Sequence, residues 1–525
     1  MQLEGLSFIG NRRAKANGQP IRALNPANGA TLEPDYFPAT HSDVDAAAQL
    51  AWKAFAEYRE WPAARRADLL RRIAERLEAN ANAIVDRANQ ETALPPARLQ
   101  SELARTCFQL RLYGEAFVNG ICAGARIDHA DPNRKPQPKP DVRSMLRPVG
   151  PVVVFSATNF PLAYSVAGGD TASALAAGCP VIVKPNPGHP GTSEIVAKLV
   201  LQAANDAGAP DGIFSMIYGA GHEIGIALVK HPLVKAVGFT GSRSGGRALM
   251  DAAAARSEPI PVYAEMASIN PIFLLPSALK NADSLAAGLH SSVTLGVGQF
   301  CTCPGIVFAD RSAGSETLLQ KLEALMSTTA PGTMLTPNIR ASYEKGIAHF
   351  TQTPGVRRAA SVAVSETSGT QGGAALFATN AETFLKEPAL QEEVFGPSTI
   401  VVQCDSREQM IEAAKKLEGQ LTATIHGTPE ELAENRELIS ILETKAGRLI
   451  FNGFPTGVEV CHAMTHGGPY PSTSDGRTTS VGTRAAERFL RPVSYQNFPD
   501  AALPDELKES NPLGILRLVD GQWTR

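Results

Sequence analysis

The 525-residue sequence lacks several features that would place it in common protein classes. No apolar run approaches the roughly 20 residues that a membrane-spanning helix needs. The segment 1–5 has neither the basic stretch nor the apolar core of a secretion signal. The formal net charge of -3 gives no electrostatic basis for binding nucleic acid or a membrane surface. We therefore expect a soluble, cytoplasmic protein with a small-molecule partner, no nucleic acid and no membrane.

Cysteine is too sparse to build a disulfide framework, because the seven cysteines are odd in number and dispersed along a long chain. This usage is typical of a reducing compartment. The sequence also lacks CxxC and HExxH motifs. Cys461, His462 and His466 supply three possible ligands in one loop, but they have no metal-motif spacing behind them. We predict no metal site.

Helical and strand patterns alternate over most of the chain, which predicts an α/β fold. The alternation occupies two regions, 151–265 and 272–451. Four apolar, β-rich runs mark the first region, at 152–155, 181–184, 214–217 and 236–239. Because ligands bind at the carboxyl ends of parallel strands, we expect Asn159, Lys184 and Ser242 at one rim of the first sheet.

Two segments outside these runs also have clear patterns. A helical pattern with Ser42 as its predicted N-cap opens the folded part of the chain. The segment 131–140 is rich in proline and charge, which excludes a helix or a central strand and predicts an extended arm.

The segment 298–305 contains the strongest candidate for a nucleophile. Its sequence, GQFCTCPG, holds Cys301 between a glycine-rich approach and a Pro-Gly turn, where the backbone bends and a thiol is accessible. A buried, unreactive cysteine is the alternative. Asn159 and Glu265 favour the functional interpretation, since each lies at or just beyond a strand end. A thiol, an amide donor and a carboxylate are the groups that acyl transfer requires.

Both supporting residues have an ordinary structural explanation as well. Asn159 could be the N-cap of a following helix. Glu265 could be a surface or ion-paired carboxylate at the end of a strand. The local patterns leave these alternatives open.

Six motifs together resemble the aldehyde dehydrogenase family, in the family's order and over nearly the whole chain. The motifs are NFP at 159–161, VKP at 183–185, FTGS at 239–242, Glu265, GQFCT at 298–302 and EVFGP at 393–397. The resemblance implies an aldehyde dehydrogenase-like α/β fold and a homodimer or homotetramer. It divides the chain into a parallel-sheet cofactor-binding domain (1–127 and 150–264), an α/β catalytic domain (265–470) and a small oligomerisation arm with a C-terminal tail (128–149 and 471–525).

The resemblance also assigns the catalytic roles. Cys301 attacks an aldehyde to form a thiohemiacetal, which becomes a thioester after hydride loss. The Asn159 amide and the backbone N–H of Cys301 stabilise the oxyanion. Glu265 is the general base for hydrolysis to a free acid, and burial beside apolar neighbours is expected to raise its proton affinity. Many relatives follow this glutamate with Leu-Gly-Gly, whereas here Met-Ala-Ser follows at 266–268.

For the cofactor, NADP or NAD, the resemblance implies a site without a GxGxxG motif. Thr240, Gly241 and Ser242 would meet the pyrophosphate at a helix N-terminus. The other predicted contacts are Lys184 to the adenine ribose, and Glu393 and Phe395 to the nicotinamide ribose. Lys184 could instead be a solvated lysine at a strand end. Many NAD-specific relatives carry a glutamate where this chain has Pro187. Without that carboxylate to repel a 2′-phosphate, we predict NADP as the preferred cofactor.

Further segments, among them FNGFPTGV at 451–458, resemble one branch of the family. That branch contains 2-oxoglutarate semialdehyde (2,5-dioxopentanoate) dehydrogenases and an NADP-dependent fatty-aldehyde enzyme. We expect oxidation of 2,5-dioxopentanoate to 2-oxoglutarate, with a broad-specificity or fatty-aldehyde activity as the alternative. Arg105 and Arg111 are candidates to bind the substrate carboxylate, or they form ion pairs with Glu102 or Glu115.

Two alternatives come from other classes. A cysteine esterase would need a histidine base beside Cys301, and none of the ten histidines lies in a motif that suggests one. A catalytically silent relative is expected to have lost Cys301, Asn159 or Glu265, and all three are present.

Overall fold

A mainly parallel sheet forms the first half of the fold in the computed structural model, which describes residues 2–219, 221–311, 314–364 and 369–525. Its parallel strands are, in spatial order, Val262–Glu265, Ala236–Thr240, Val152–Phe155, Val181–Lys184 and Phe214–Met216. Phe8–Ile9 and Arg12–Arg13 extend the sheet in antiparallel fashion. The four predicted runs are confirmed as strands, to within one residue at their ends.

Helices cover both faces of this sheet, because successive strand residues point to opposite sides. Val152 and Val154 pack into one apolar cluster, and Val153 packs into another. The helices of this half are His41–Tyr58, Ala63–Ala79, Ala81–Thr92, Pro96–Val118, Gly169–Ala177, Pro190–Asp206, Glu223–Lys230 and Arg243–Ala254.

A second sheet is also parallel, apart from its edge strand Arg357–Ser361. Its strands are, in spatial order, Arg357–Ser361, Ala375–Asn380, Ser398–Cys404, Ile306–Asp310, Ile272–Leu274, Gln420–His426 and Ala446–Phe451. Its α-helices are Ala282–Thr294, Ser315–Ser327, Pro337–Gln352, Ala381–Lys386, Arg407–Lys416, Pro429–Glu434 and Arg436–Glu443. Short 3₁₀ helices are Ala278–Asn281, Leu295–Gly298 and Pro388–Gln391. The second alternating region is thereby confirmed.

A third sheet joins the middle of the chain to its C-terminal part. Its strands are, in spatial order, Leu490–Gln496, Val142–Pro148, Arg126–Asp128, Arg517–Val519 and Gln522–Thr524. The proline-rich segment connects two of these strands and contains no helix, as expected. Two small ladders, Ile21–Leu24 with Thr31–Tyr36 and Gly332–Thr333 with Gln371–Gly372, and the 3₁₀ helices Thr483–Phe489, Asp500–Ala502 and Asp505–Leu507 complete the described elements. The domain limits stay a prediction.

The N-cap of the first helix lies two residues before the predicted cap. Thr40 is the N-cap of His41–Tyr58, and its hydroxyl accepts a hydrogen bond from the backbone N–H of Asp43. The Asp43 carboxylate accepts in return from the backbone N–H of Thr40, which completes a capping box. The prediction of Ser42 as N-cap is therefore wrong. No helix in the described part of the chain is long and apolar enough to cross a bilayer.

The strand register brings the predicted site residues to one rim of the first sheet. Phe155 pairs with Lys184, and Thr240 pairs with Glu265, so neighbouring strands end at the same level. Asn159 and Ser242 follow two of these strand ends within four residues. This arrangement confirms the expected rim.

Candidate active site

Cys301 lies in a tightly constrained loop ahead of the strand Ile306–Asp310. Gly296, Val297 and Gly298 precede it with φ values of 57°, 59° and 66°. A left-handed conformation at a β-branched residue such as Val297 stores strain. A Cβ at Gly298 would lie 2.2 Å from the carbonyl carbon of Gly396. The loop therefore needs glycine at 298, and it holds the half-buried thiol between the two large sheets.

Two buried side chains meet the thiol. His466 Nε2 lies 3.5 Å from Cys301 Sγ and 3.1 Å from Glu265 Oε1. The Ser480 hydroxyl donates to the other oxygen, Glu265 Oε2, at 3.0 Å. The side chains of His466 and Glu265 are 1% and 3% exposed. Cys301, His466 and Glu265 thus form one water-poor cluster of a thiol, an imidazole and a carboxylate.

The structure places a histidine beside Cys301, although none of the ten histidines lies in a motif that suggests one. His466 is separated from Cys301 by 165 residues and from Glu265 by 201 residues, so no local motif links them. The sequence interpretation considered His466 only as a metal ligand with Cys461 and His462. In the structure Cys461 is exposed and has no part in the cluster.

The protonation states at rest follow from these contacts. Burial and the Glu265 charge raise the pKa of the Cys301 thiol well above its ordinary value. Burial alone would raise the pKa of Glu265, but hydrogen bonds and charge from His466, with further hydrogen bonds from Cys301 and Ser480, outweigh burial and lower it. The expected net rise in the proton affinity of Glu265 is therefore wrong. At neutral pH the site holds a thiol beside a carboxylate.

Asn159 is buried on the other side of the Cys301 loop. Its side-chain amide donates to the backbone carbonyl of Gln299 at 3.1 Å, two residues before the thiol. Arg98 donates to the Asn159 carbonyl at 2.8 Å. The next helix, Gly169–Ala177, has Gly168 as its N-cap. The alternative of Asn159 as an N-cap is therefore wrong, and the amide is aimed at the Cys301 loop.

Asn270 was missed by sequence reasoning, although it holds the nucleophile loop directly. Its amide donates to the carbonyls of Cys301 and Cys303, each at 2.9 Å. The Ser268 hydroxyl donates to the Asn270 side-chain oxygen at 3.0 Å. Ser268 belongs to the Met-Ala-Ser segment that departs from the family pattern, and its hydroxyl contributes to the support of this loop.

The predicted pyrophosphate contacts lie at the exposed start of a helix. Ser242 is the N-cap of Arg243–Ala254, and its hydroxyl accepts from the Gly245 N–H at 3.2 Å. A Cβ at Gly241 would lie 2.7 Å from the Phe239 ring, so glycine leaves the backbone open here. Thr240 ends the preceding strand. Backbone N–H groups and the helix dipole at such a start favour an anion.

Lys184 and Glu393 are ionisable side chains whose pKa values are shifted by burial. Burial lowers the pKa of Lys184 to about 8, and no carboxylate in the described part of the chain lies within 4.0 Å of its ammonium group. Burial raises the pKa of Glu393 to about 8, with only a long hydrogen bond of 3.5 Å from the Ser268 N–H to oppose it. Phe395 and Glu393 line one cavity that also reaches Cys303. Both side chains can form hydrogen bonds with the hydroxyl groups of a ribose ring.

A metal ion has one candidate position among the described residues. Cys301 Sγ, His466 Nε2 and a Glu265 oxygen all lie within 4.8 Å of one another. Because these atoms also make up the candidate catalytic cluster, their proximity has an explanation without a metal. The prediction of no metal site stays a prediction.

The chain belongs to the aldehyde dehydrogenase family: the model of the "Aldehyde dehydrogenase family" matches residues 13–492. It is accordingly an oxidoreductase that converts an aldehyde to a carboxylic acid.

Two relatives are similar over nearly their whole lengths. The chain is 48% identical over 524 residues to "Alpha-ketoglutaric semialdehyde dehydrogenase 2" of Azospirillum brasilense, covering 99% of this chain and 100% of the relative. It is 45% identical over 523 residues to "Alpha-ketoglutaric semialdehyde dehydrogenase" of Acinetobacter baylyi, covering 99% of each.

Lactaldehyde dehydrogenase from Escherichia coli has the same fold, with a TM-score of 0.81, 22% identity and coverage of 94% of this chain and 98% of that chain. An NAD+ complex of aldehyde dehydrogenase from Bacillus cereus aligns with a TM-score of 0.79, 23% identity and coverage of 94% and 96%.

Proposed function

We propose that this enzyme oxidises 2,5-dioxopentanoate, the semialdehyde of 2-oxoglutarate, to 2-oxoglutarate with NADP or NAD. The two relatives named for that semialdehyde, at 48% and 45% identity, support the substrate. The observation that carries the chemistry is the meeting of Cys301, His466 and Glu265 within 4.8 Å at a strand rim.

Cys301 begins the reaction as a thiol, since burial and the Glu265 charge raise its pKa. As the sulfur attacks the aldehyde carbon, its proton passes to the Glu265 carboxylate, to which the thiol is hydrogen-bonded. His466, 3.1 Å from the carboxylate, orients it and stabilises its charge before the transfer. The product of this step is a thiohemiacetal on Cys301.

The oxyanion of that adduct needs donors placed where the charge develops. The Asn159 amide is the side-chain donor, and it releases the Gln299 carbonyl to reach the new oxygen. The backbone N–H of Cys301 is the second donor. Asn270 keeps the loop from moving during this exchange, because it is bonded to the carbonyls of Cys301 and Cys303.

The residues at the strand rim fit a nicotinamide dinucleotide. When bound, that cofactor accepts the hydride of the thiohemiacetal, which leaves a thioester on Cys301. The start of Arg243–Ala254 holds the pyrophosphate through Gly241 and Ser242. Lys184 and Glu393, which are half-buried and have pKa values shifted by desolvation, would hold the two ribose rings. NADP is preferred, because Pro187 puts no carboxylate near a 2′-phosphate and Lys184 offers a cation.

Glu265 then acts a second time, as the base that takes a proton from the water attacking the thioester. Its pKa is lowered by its partners despite burial, so the carboxylate form is available at neutral pH. Hydrolysis releases the free acid and restores the Cys301 thiol. The sulfur leaves as a thiolate and takes one proton back from Glu265, so that one proton is lost through Glu265 for each hydride transferred when the product is the free acid.

Cofactor-independent ester hydrolysis is a second candidate activity. It is favoured by one observation, the 3.5 Å distance between Cys301 Sγ and His466 Nε2. A thiol beside an imidazole is the central pair of a cysteine hydrolase, although here the same nitrogen, Nε2, faces both Cys301 and Glu265. Release of p-nitrophenol from p-nitrophenyl acetate without cofactor, lost in Cys301→Ala, tests it.

The third sheet is proposed as the oligomerisation arm of a homodimer or homotetramer. Its edge strand Gln522–Thr524 presents Trp523, 63% exposed, on a strand with an unpaired side. Exposed strand edges with apolar side chains favour pairing with another chain. Sedimentation equilibrium of the protein and of Trp523→Lys tests this; a monomeric parent protein would contradict it.

The main proposal is tested by absorbance of the reduced nicotinamide. The purified protein is given 2,5-dioxopentanoate or octanal, each with NADP or NAD, beside the Cys301→Ala variant. We expect rapid reduction of the cofactor with 2,5-dioxopentanoate in the wild type and no reduction in the Cys301→Ala variant. A clear preference for octanal would keep the proposed mechanism but identify a fatty aldehyde as the substrate. No reduction of the cofactor with either substrate would refute the proposal.

A further inference from the structure

Two arginines from distant parts of the chain meet at one short segment, 455–458. Arg448, on the strand Ala446–Phe451, donates to the carbonyls of Gly457 at 3.1 Å and Pro455 at 2.7 Å. Arg105, on the helix Pro96–Val118, donates to the carbonyl of Val458. Both guanidinium groups therefore lie along the same stretch of backbone.

Among the described residues, neither guanidinium has a carboxylate partner. No carboxylate oxygen in the described part of the chain lies within 4.0 Å of a nitrogen of Arg105 or Arg448. In both residues Nε is buried without a hydrogen-bond partner. A half-buried charge without a counterion costs free energy, and two such charges near one segment add to that cost. Burial accordingly lowers the pKa of Arg448.

The other arginine considered from the sequence is fully paired. Arg111 forms two hydrogen bonds of 2.6 and 2.7 Å with the carboxylate of Glu78 at the surface, and neither Glu102 nor Glu115 pairs with it. Glu102 does not neutralise Arg105 either. Its carboxyl group accepts from the N–H groups of Leu162 and Ala163, and burial raises its pKa. Arg111 is thus excluded as a substrate ligand, whereas Arg105 stays a candidate.

The segment that the two arginines share abuts the nucleophile. The Gly457 N–H donates to the Thr302 hydroxyl at 3.2 Å, one residue after Cys301. The Tyr164 hydroxyl lies 3.4 Å from Arg105, and the Tyr164 ring lies 6.3 Å from the ring of His466. The charges of Cys301 and Arg448 influence each other's pKa, so the second guanidinium is also within electrostatic reach of the thiol.

We propose that Arg105 and Arg448 form a carboxylate-binding subsite that holds the acid end of a short aldehyde acid while its aldehyde end lies at Cys301. The inference rests on the proposed function and deepens it, because it assigns the substrate's carboxylate to named side chains. A carboxylate between the two guanidinium groups supplies the missing counterion and accepts from their free N–H groups. An uncharged alkyl aldehyde leaves both charges uncompensated.

The test compares a charged and an uncharged aldehyde of the same length. The kcat and KM of the wild type, Arg105→Met, Arg448→Met and the double variant are measured with 2,5-dioxopentanoate and with pentanal. Arg111→Met is the matched control on the same helix as Arg105. We expect kcat/KM for the dioxo acid to fall about 30-fold or more in each single variant, mainly through KM. For pentanal we expect kcat/KM of the variants to stay within about threefold of the wild-type value. The control Arg111→Met is expected to leave kcat/KM unchanged for both aldehydes.

A purely structural role of the arginines predicts a different result. If they only hold the segment 455–458, the variants lose activity equally on both aldehydes, and that outcome overturns the subsite. An unchanged kcat/KM for 2,5-dioxopentanoate in the variants would overturn it as well. Arg105→Lys and Arg448→Lys, which retain charge, are expected to recover part of the dioxo acid activity.

Binding without turnover separates this inference from the proposed function. Calorimetry with 2-oxoglutarate as the probe is performed on Cys301→Ala alone and combined with Arg448→Met. Binding weakened about 30-fold by the arginine change supports the subsite even if 2,5-dioxopentanoate proves a poor substrate. Equal binding to both proteins overturns it.

Discussion

Replacement of His466 by phenylalanine gives the sharpest test of the proton transfers. The change removes the ring nitrogen that lies 3.5 Å from Cys301 Sγ and 3.1 Å from Glu265 Oε1, and it keeps an aromatic ring in the space. Glu265 then retains the Ser480 hydroxyl on its other oxygen. Burial, which alone raises the pKa of Glu265, becomes the larger influence.

The sign of the pH effect follows from that balance. Glu265 acts as a base only when ionised, so activity is lost as pH falls through its pKa. His466 holds this pKa down, and its removal therefore moves the acid limb of kcat/KM to higher pH. A charge-assisted hydrogen bond contributes about 1.5–3 kcal/mol, and roughly 1.4 kcal/mol corresponds to a factor of ten. We expect kcat/KM at about pH 6 to fall about 10- to 100-fold, with a smaller loss at about pH 8.

The assay is the pH profile of kcat/KM for the wild type, His466→Phe and Ser480→Ala. Ser480→Ala is the matched control, because it removes the other partner of Glu265 without touching the thiol. It is expected to move the acid limb in the same direction by a smaller amount, since a neutral hydroxyl is lost. An unmoved acid limb in His466→Phe, with kcat/KM unchanged, would refute the role of His466.

Three further changes test the remaining assignments. Asn159→Ala is expected to lower kcat about 100- to 1,000-fold with little effect on cofactor binding, measured by steady-state kinetics and by fluorescence titration of the reduced cofactor. Glu265→Gln is expected to slow both formation of the thiohemiacetal and hydrolysis of the thioester, so that the first turnover and the steady-state rate of cofactor reduction both fall; turnover at the wild-type rate would contradict the base assignment. Pro187→Glu is expected to raise KM for NADP at least about tenfold and to leave KM for NAD less affected; an equal rise for both would point to a structural role of the proline.

Much of the fold could be predicted because its signals are local. Strands such as Val152–Phe155 and Val181–Lys184 are short runs of β-branched residues between helical patterns, and their bounds match the prediction. The wrong prediction of Ser42 as the N-cap shows what local sequence patterns cannot decide. Thr40 and Ser42 are both good capping residues, each followed three positions later by an aspartate, and only the three-dimensional hydrogen bonds identify Thr40.

The candidate site divides in the same way. Cys301, Asn159 and Glu265 lie in motifs and could be found one by one, but His466 is brought to them across 165 and 201 residues by the fold. The pKa of Glu265 was mispredicted for a related reason. Burial can be inferred from apolar neighbours in sequence, whereas the hydrogen bonds that oppose it come from residues far along the chain.

The contacts of the two Glu265 oxygens suit the two roles that the proposed mechanism gives this carboxylate. A carboxylate buried among apolar groups alone would hold a proton, and a protonated carboxyl group cannot act as a base. His466 holds Oε1 and Ser480 holds Oε2, so the ionised form is stabilised from both sides. The same contacts restrict rotation of the group, which keeps it directed toward the sulfur and, later, toward the water that attacks the thioester. His466 and Ser480 thus keep Glu265 in the ionised form that the proposed mechanism requires.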